Sequence, residues 1–114
     1  MPHFVLDCSP AVLELVSPAE TMGVVYETAR STGLFPNSEV KVRLNPYVHF
    51  TVEGEAVDFI HVFGYIMEGR TIAQRKGLSD QIVLGLKALF PDVPVISINI
   101  SEFERDTYSN RSMV

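Results

Sequence analysis

The segment LFPNSEV at 34–40 returns as LFPDVPV at 89–95, 55 residues further along a chain of 114. An internal repeat at nearly half the chain length restricts the possible folds more than any single motif, because each half must then build the same supersecondary unit. Carried backwards, the same offset sets His3-Phe4-Val5 against Asp58-Phe59-Ile60 and Pro2 against Val57. Each half reads as strand, helix, turn, strand.

The first strand is HFVLDCS. Ser17-Pro18-Ala19-Glu20 starts a helix, with Ser17 as N-cap, Pro18 at the first helical position and Glu20 placed to close a capping box. Met22, Val25, Tyr26 and Ala29 follow at helical spacing and predict one apolar face; Gly33 ends the helix. Residues 39–44 alternate as a strand. Turns at Asn45-Pro46 and Glu53-Gly54-Glu55 enclose an excursion with Tyr47, His49 and Thr51. Val57 to Met67 is a longer strand, apolar on both faces as a central strand would be. Thr71 caps a second helix, with Gln74 three residues on, and Leu78, Ile82, Leu86 and Leu89 form its stripe. After a turn at Pro91–Pro94, Val95–Ser101 is the last strand. The polar tail from Glu102 is short and suits an arm across a partner.

One α+β domain is expected, with pseudo-repeats of about 1–56 and 57–114. Strands joined through a helix are normally parallel with a right-handed crossover, so two β-α-β units form a four-stranded sheet with both helices on one face. A ferredoxin-like β-α-β-β-α-β domain has the same element order and remains the competing fold. Apolar residues make up 46% of the chain. That is high for so short a monomer and predicts a sheet face covered by another subunit.

The net charge of −5 argues against a general nucleic-acid binder, which needs a basic face. No run approaches the roughly 18 apolar residues of a membrane span, and no signal peptide is apparent. The lone cysteine, Cys8, cannot form an internal disulfide; it reads as a small core residue in a reduced, cytoplasmic setting.

Cations that could meet an anionic ligand stand in three places. Lys41 and Arg43 are two apart on a strand and share a face. Arg70 lies between a strand end and a helix mouth, where free N–H groups favour anions. Arg75 is one turn into that helix. Each also reads as a solvated surface charge. His3, His49 and His61 lack metal spacing, and His61 inside its strand reads as a satisfied core residue. There is no glycine-rich phosphate loop and no serine elbow, so neither metal nor cofactor is expected.

Pro2 becomes chemical only at a terminus. Removal of Met1 would leave it a secondary amine at a strand end. An unperturbed α-amino group titrates near 8; burial and nearby cations would both lower that value, and a neutral amine near the working pH is a good general base. With Met1 retained, the same nitrogen is an amide and cannot be a base.

Met-Pro-His-Phe at the start, Thr-Gly-Leu-Phe-Pro at 32–36, Val-Lys-Val-Arg at 40–43 and Ile-Ser-Glu at 100–102 together resemble the 5-carboxymethyl-2-hydroxymuconate isomerase family of the tautomerase superfamily. Ile66-Met67-Glu68-Gly69-Arg70-Thr71 separately resembles 4-oxalocrotonate tautomerase around a substrate-binding arginine. The resemblance implies a homotrimer of duplicated β-α-β units with active sites near subunit boundaries, and no cofactor. It implies Pro2 as catalytic base, with Arg70, Arg43 and Lys41 binding the carboxylates of a small dicarboxylate or tricarboxylate. Relatives often carry arginine where this chain has Lys41, which adds weight to Arg43. Val57, taken as the duplicate of Pro2, cannot be a base, so one site per chain is implied. The implied reaction is keto-enol tautomerisation of a hydroxymuconate-type 2-hydroxydienoate from aromatic catabolism. Hydration, dehalogenation or decarboxylation on the same scaffold, a ferredoxin-like small-molecule-binding domain, and a signalling or interaction protein remain the alternatives.

Overall fold

A computed structural model describes residues 1–36 and 38–114. The elements in order are β1 (His3–Cys8), α1 (Val12–Leu15), α2 (Pro18–Ser31), β2 (Lys41–Pro46), β3 (Phe59–Met67), α3 (Ile72–Leu89) and β4 (Val95–Phe103), with a final 3-10 turn at Arg111–Met113. The sheet order is β2-β1-β3-β4. β1 runs parallel to β2 and β3 to β4, while β1 and β3 meet antiparallel at the centre. Strands joined by a helix are therefore direct neighbours. In the ferredoxin-like competitor another strand lies between them, and that fold is excluded.

Both long helices begin where their caps predict. Thr71 and Gln74 form a complete reciprocal box. At Ser17 only half forms: the hydroxyl accepts from Glu20 N at 3.1 Å, and no return bond from the Glu20 side chain joins it. Gly33 ends α2 at φ +71°, a left-handed geometry that costs glycine little. The apolar face of α2 is rotated from the one expected. Thr21, Val25 and Ala29 are buried, whereas Tyr26 is 40% exposed. Thr21 can go inside because its hydroxyl donates to Ser17 O at 2.9 Å, which satisfies the polar group locally. α1, a single turn hung on Ser9 and Pro10 carbonyls, has no counterpart in the sequence reading.

One sheet face is fully covered. Phe4, Leu6 and Cys8 of β1 and Ile60, Val62 and Ile66 of β3 are buried against Val25 and Ala29 of α2 and Leu78, Ile82 and Leu86 of α3. Gly64 belongs to this face because a Cβ there would come within 2.6 Å of Ile100 Cδ1 and 3.3 Å of Phe4. The opposite face carries His3, Val5, Phe59, Phe63, Tyr65 and Phe103 only half-buried, with no helix over it. β3 is accordingly covered on one side within the chain.

The repeat does not superpose at its sequence offset. Helix-facing positions are even-numbered in both β1 and β3, so a shift of 55 would turn one strand inside out. Matching the first residues of the two strands, His3 and Phe59, sets Pro2 against Asp58 rather than Val57. Asp58 Oδ1 accepts from the buried Ser9 hydroxyl at 2.9 Å, and that hydroxyl accepts from Phe59 N at 3.2 Å. Within its own chain the tail folds back on the end of β3, where Arg105 N donates to Glu68 Oε1 at 3.1 Å.

Candidate active site

Pro2 sits one residue before β1, where its missing N–H costs the ladder nothing. It is buried, and its carbonyl accepts from Lys41 N at 2.9 Å, fixing the start of the β1–β2 pair. Register then places Lys41 beside His3 and Arg43 beside Val5 on the open face. Lys41 Nζ lies 3.3 Å from Glu39 Oε2 and donates to Glu39 O at 3.3 Å. The Met1 amine donates to that same carbonyl at 3.4 Å. Arg43 Nη1 donates to His3 Nδ1 at 3.0 Å.

A cavity of about 900 Å3 opens here, with Met1, His3, Glu39 and Lys41 on one side and the tail from Tyr108 to Ser112 on the other. The two chain ends touch across it. Tyr108 Oη donates to Met1 Sδ, and Asn110 Nδ2 stands 4.0 Å from the same sulfur. The Tyr108 ring rests on Phe103 at 5.9 Å between centroids, and His3 meets Phe103 edge-on at 5.8 Å. Burial first, and then the Lys41 ammonium, hold the Met1 amine below its ordinary value; Arg70 adds to this and Glu39 opposes it.

The cations singled out by sequence separate into groups. Pro2, Lys41 and Arg43 come together, Arg43 through His3. Arg70 approaches from the helix side of the sheet. Its Nη2 donates to Leu34 O at 2.6 Å and its Nη1 to Met67 O at 3.1 Å. Its guanidinium lies 5.0 Å over the Phe35 ring, which itself packs on Phe4. Arg70 lines a different cavity, of about 450 Å3, with Glu68, Gln74 and Arg105. Arg75 is engaged by Glu102 at 3.5 Å. His61 is satisfied, Nδ1 lying 2.6 Å from Ser97 Oγ and Nε2 2.6 Å from Asn99 Oδ1, but it is half-buried on the open face and not the core residue expected. Sequence reading missed Glu39, Tyr108 and Asn110, whose part in the cavity depends on the tail returning to the amino terminus. Among the described residues no cluster of His, Cys, Asp or Glu is placed to hold a metal ion, and no helix is long and apolar enough to cross a membrane.

The tandem β-α-β sheet, with order β2-β1-β3-β4, has the fold of solved tautomerase-superfamily structures. The structure is similar to a 5-carboxymethyl-2-hydroxymuconate isomerase from Deinococcus radiodurans R1, with a TM-score of 0.83 at 18% identity over 96% of this chain and 88% of that one. It is similar also to a 5-carboxymethyl-2-hydroxymuconate delta-isomerase (TM-score 0.78, 16% identity, 97% and 87% covered). A fused 4-OT described as an asymmetric trimer aligns at a TM-score of 0.73 and 18% identity, over 96% and 92%. The chain belongs to the 5-carboxymethyl-2-hydroxymuconate isomerase family, whose sequence pattern matches residues 2–112, and it is an isomerase. No curated protein matches the sequence.

Proposed function

We propose that this isomerase is a cofactor-free keto-enol tautomerase that acts once Met1 has been removed, with the Pro2 amine as its base. The observation that carries the reading is the field at the amino terminus. Burial and Lys41 already depress the Met1 amine, and a Pro2 amine would stand one residue deeper beside the same ammonium. The depressed value favours the neutral, proton-accepting form near neutral pH, and the pyrrolidine ring limits the entropy lost in positioning it.

The nitrogen takes the proton from the 2-hydroxyl of a dienol acid. Electron density passes along the diene, and a proton is returned at a remote carbon to give the conjugated keto acid. Lys41 and Arg43 stabilise the dienolate as charge develops and bind a carboxylate from the open face. Arg70 binds from the helix side, with guanidinium donors left over from its two carbonyl bonds. The substrate class that suits these groups is a hydroxymuconate-type dicarboxylate or tricarboxylate from aromatic catabolism, met in the cytoplasm. The half-buried open face, with Val5, Phe59, Phe63 and Tyr65, supports a homotrimer in which neighbouring copies cover it.

Intact-mass measurement paired with an ultraviolet keto-enol assay tests the reading. The expected result is a chain lacking Met1 that ketonises 2-hydroxymuconate, with Pro2→Ala slowed by at least about a hundredfold, the low end of general-base contributions. A processed chain inert toward every 2-hydroxydienoate would sink it.

A further inference from the structure

The contact between the two chain ends has a consequence for the substrate that rests on the proline reading. Met1 and the tail meet through a thioether, which is a weak hydrogen-bond acceptor. Two better donors are aimed at it. The Tyr108 hydroxyl donates to Met1 Sδ and the Asn110 amide nitrogen faces it at 4.0 Å.

Neither donor is casually placed. Asn110 Oδ1 accepts from Ser112 N at 3.0 Å and from Ser112 Oγ at 2.8 Å. With the oxygen of the amide so engaged, its NH2 end is turned toward Met1. Tyr108 is held by its ring against Phe103, a residue of β4, so its hydroxyl is set by the sheet rather than by the loop. Both residues line the same cavity as Lys41 and Glu39.

We propose that Tyr108 and Asn110 are substrate-binding residues that the Met1 side chain covers until it is removed. Excision of Met1 takes away the sulfur and leaves two neutral donors facing the space next to the new amine. A carboxylate oxygen placed there replaces a poor acceptor by a charged one, and hydrogen bonds to charged groups are the stronger kind. The tail forms the wall opposite Lys41 and grips the substrate's carboxylate from that side. Removal of Met1 then does two things at once: it creates the base and it uncovers the anion donors.

The test is binding of adipate, an unreactive dicarboxylate, by isothermal titration calorimetry. It is run on the processed protein and on protein retaining Met1, produced with methionine aminopeptidase inhibited. Tyr108→Phe keeps the ring against Phe103, and Asn110→Asp keeps an acceptor for Ser112, so both variants retain the tail's own contacts. In the processed protein each is expected to weaken adipate by about tenfold or more. With Met1 retained, binding is expected to be weak and equal in wild type and variants. Unchanged adipate affinity in folded, processed Tyr108→Phe and Asn110→Asp overturns the proposal, as does equal adipate affinity with and without Met1. Turnover of Pro2→Ala is measured in parallel. Full activity there would remove the proline base, while the adipate comparison would still decide the role of the tail.

Discussion

Arg43 Nη1 donates to His3 Nδ1 at 3.0 Å across the first two strands. A guanidinium can only donate, so Nδ1 is the acceptor, and the neutral imidazole carries its proton on Nε2. Burial first, then Arg43, Lys41 and the amino terminus, lower the His3 pKa from its ordinary 6.5. The folded state therefore resists a proton that the unfolded chain accepts. The contribution of His3 to stability is full above about pH 6.5 and is lost progressively as the pH falls below it. Nuclear magnetic resonance titration of His3 should give a midpoint below 6.5 that moves upward in Arg43→Ala. A midpoint that does not respond to Arg43 would dissociate the pair.

Arg70 is tied to the scaffold as well as being a candidate ligand. Loss of its bonds to Leu34 O and Met67 O and of its place over Phe35 leaves two carbonyls to find other partners. Arg70→Ala should cost about 1–3 kcal/mol and lower the melting temperature by several degrees, in addition to any loss of turnover. A calorimetric scan identical to wild type would show that the carbonyl bonds contribute nothing.

Gly64 leaves room at the centre of the buried face. A methyl there would meet Ile100 Cδ1 at 2.6 Å, so Gly64→Ala should destabilise by about 1–3 kcal/mol through overpacking. Ile100→Val deletes the Cδ1 atom that stands in the way. Denaturant unfolding of the double variant should recover much of the loss, a coupling that a double-mutant cycle reads directly; additive losses would mean that the contact with Phe4 dominates instead.

Cys8 is buried on the helix side of β1, and burial, aided by Asp7, pushes its thiol up to about 11. A thiol with so little thiolate is inert. Ellman's reagent should leave the native protein unmodified near neutral pH and react once it is unfolded. Rapid labelling of the native state would remove Cys8 from the core.

The parts of this fold legible in the sequence were those encoded by neighbours in the chain. Ser17 and Thr71 mark both long helices because capping is settled within four residues, and alternation marks the strands. What escaped depended on partners far away or on groups that hydropathy misjudges. Thr21 looks polar but is buried because Ser17 O takes its hydroxyl. α1 is too short to display a period. The candidate residues Pro2, Lys41, Arg43 and Arg70 could be named from the sequence, but their arrangement could not. Leu34 O, which engages Arg70, lies 36 residues away, and Tyr108 meets Met1 across almost the whole chain.

The pairing of Asp58 with Ser9 gives the two halves different trades. The position that in the first half precedes the strand as proline holds, in the second, a carboxylate clasped to the loop leaving β1. A circularly permuted chain opening at Asp58 would therefore begin with a primary amine on a residue whose side chain is already spoken for. Under the proposed proline mechanism, such a rearrangement can preserve every strand pairing in the sheet and still lack the base.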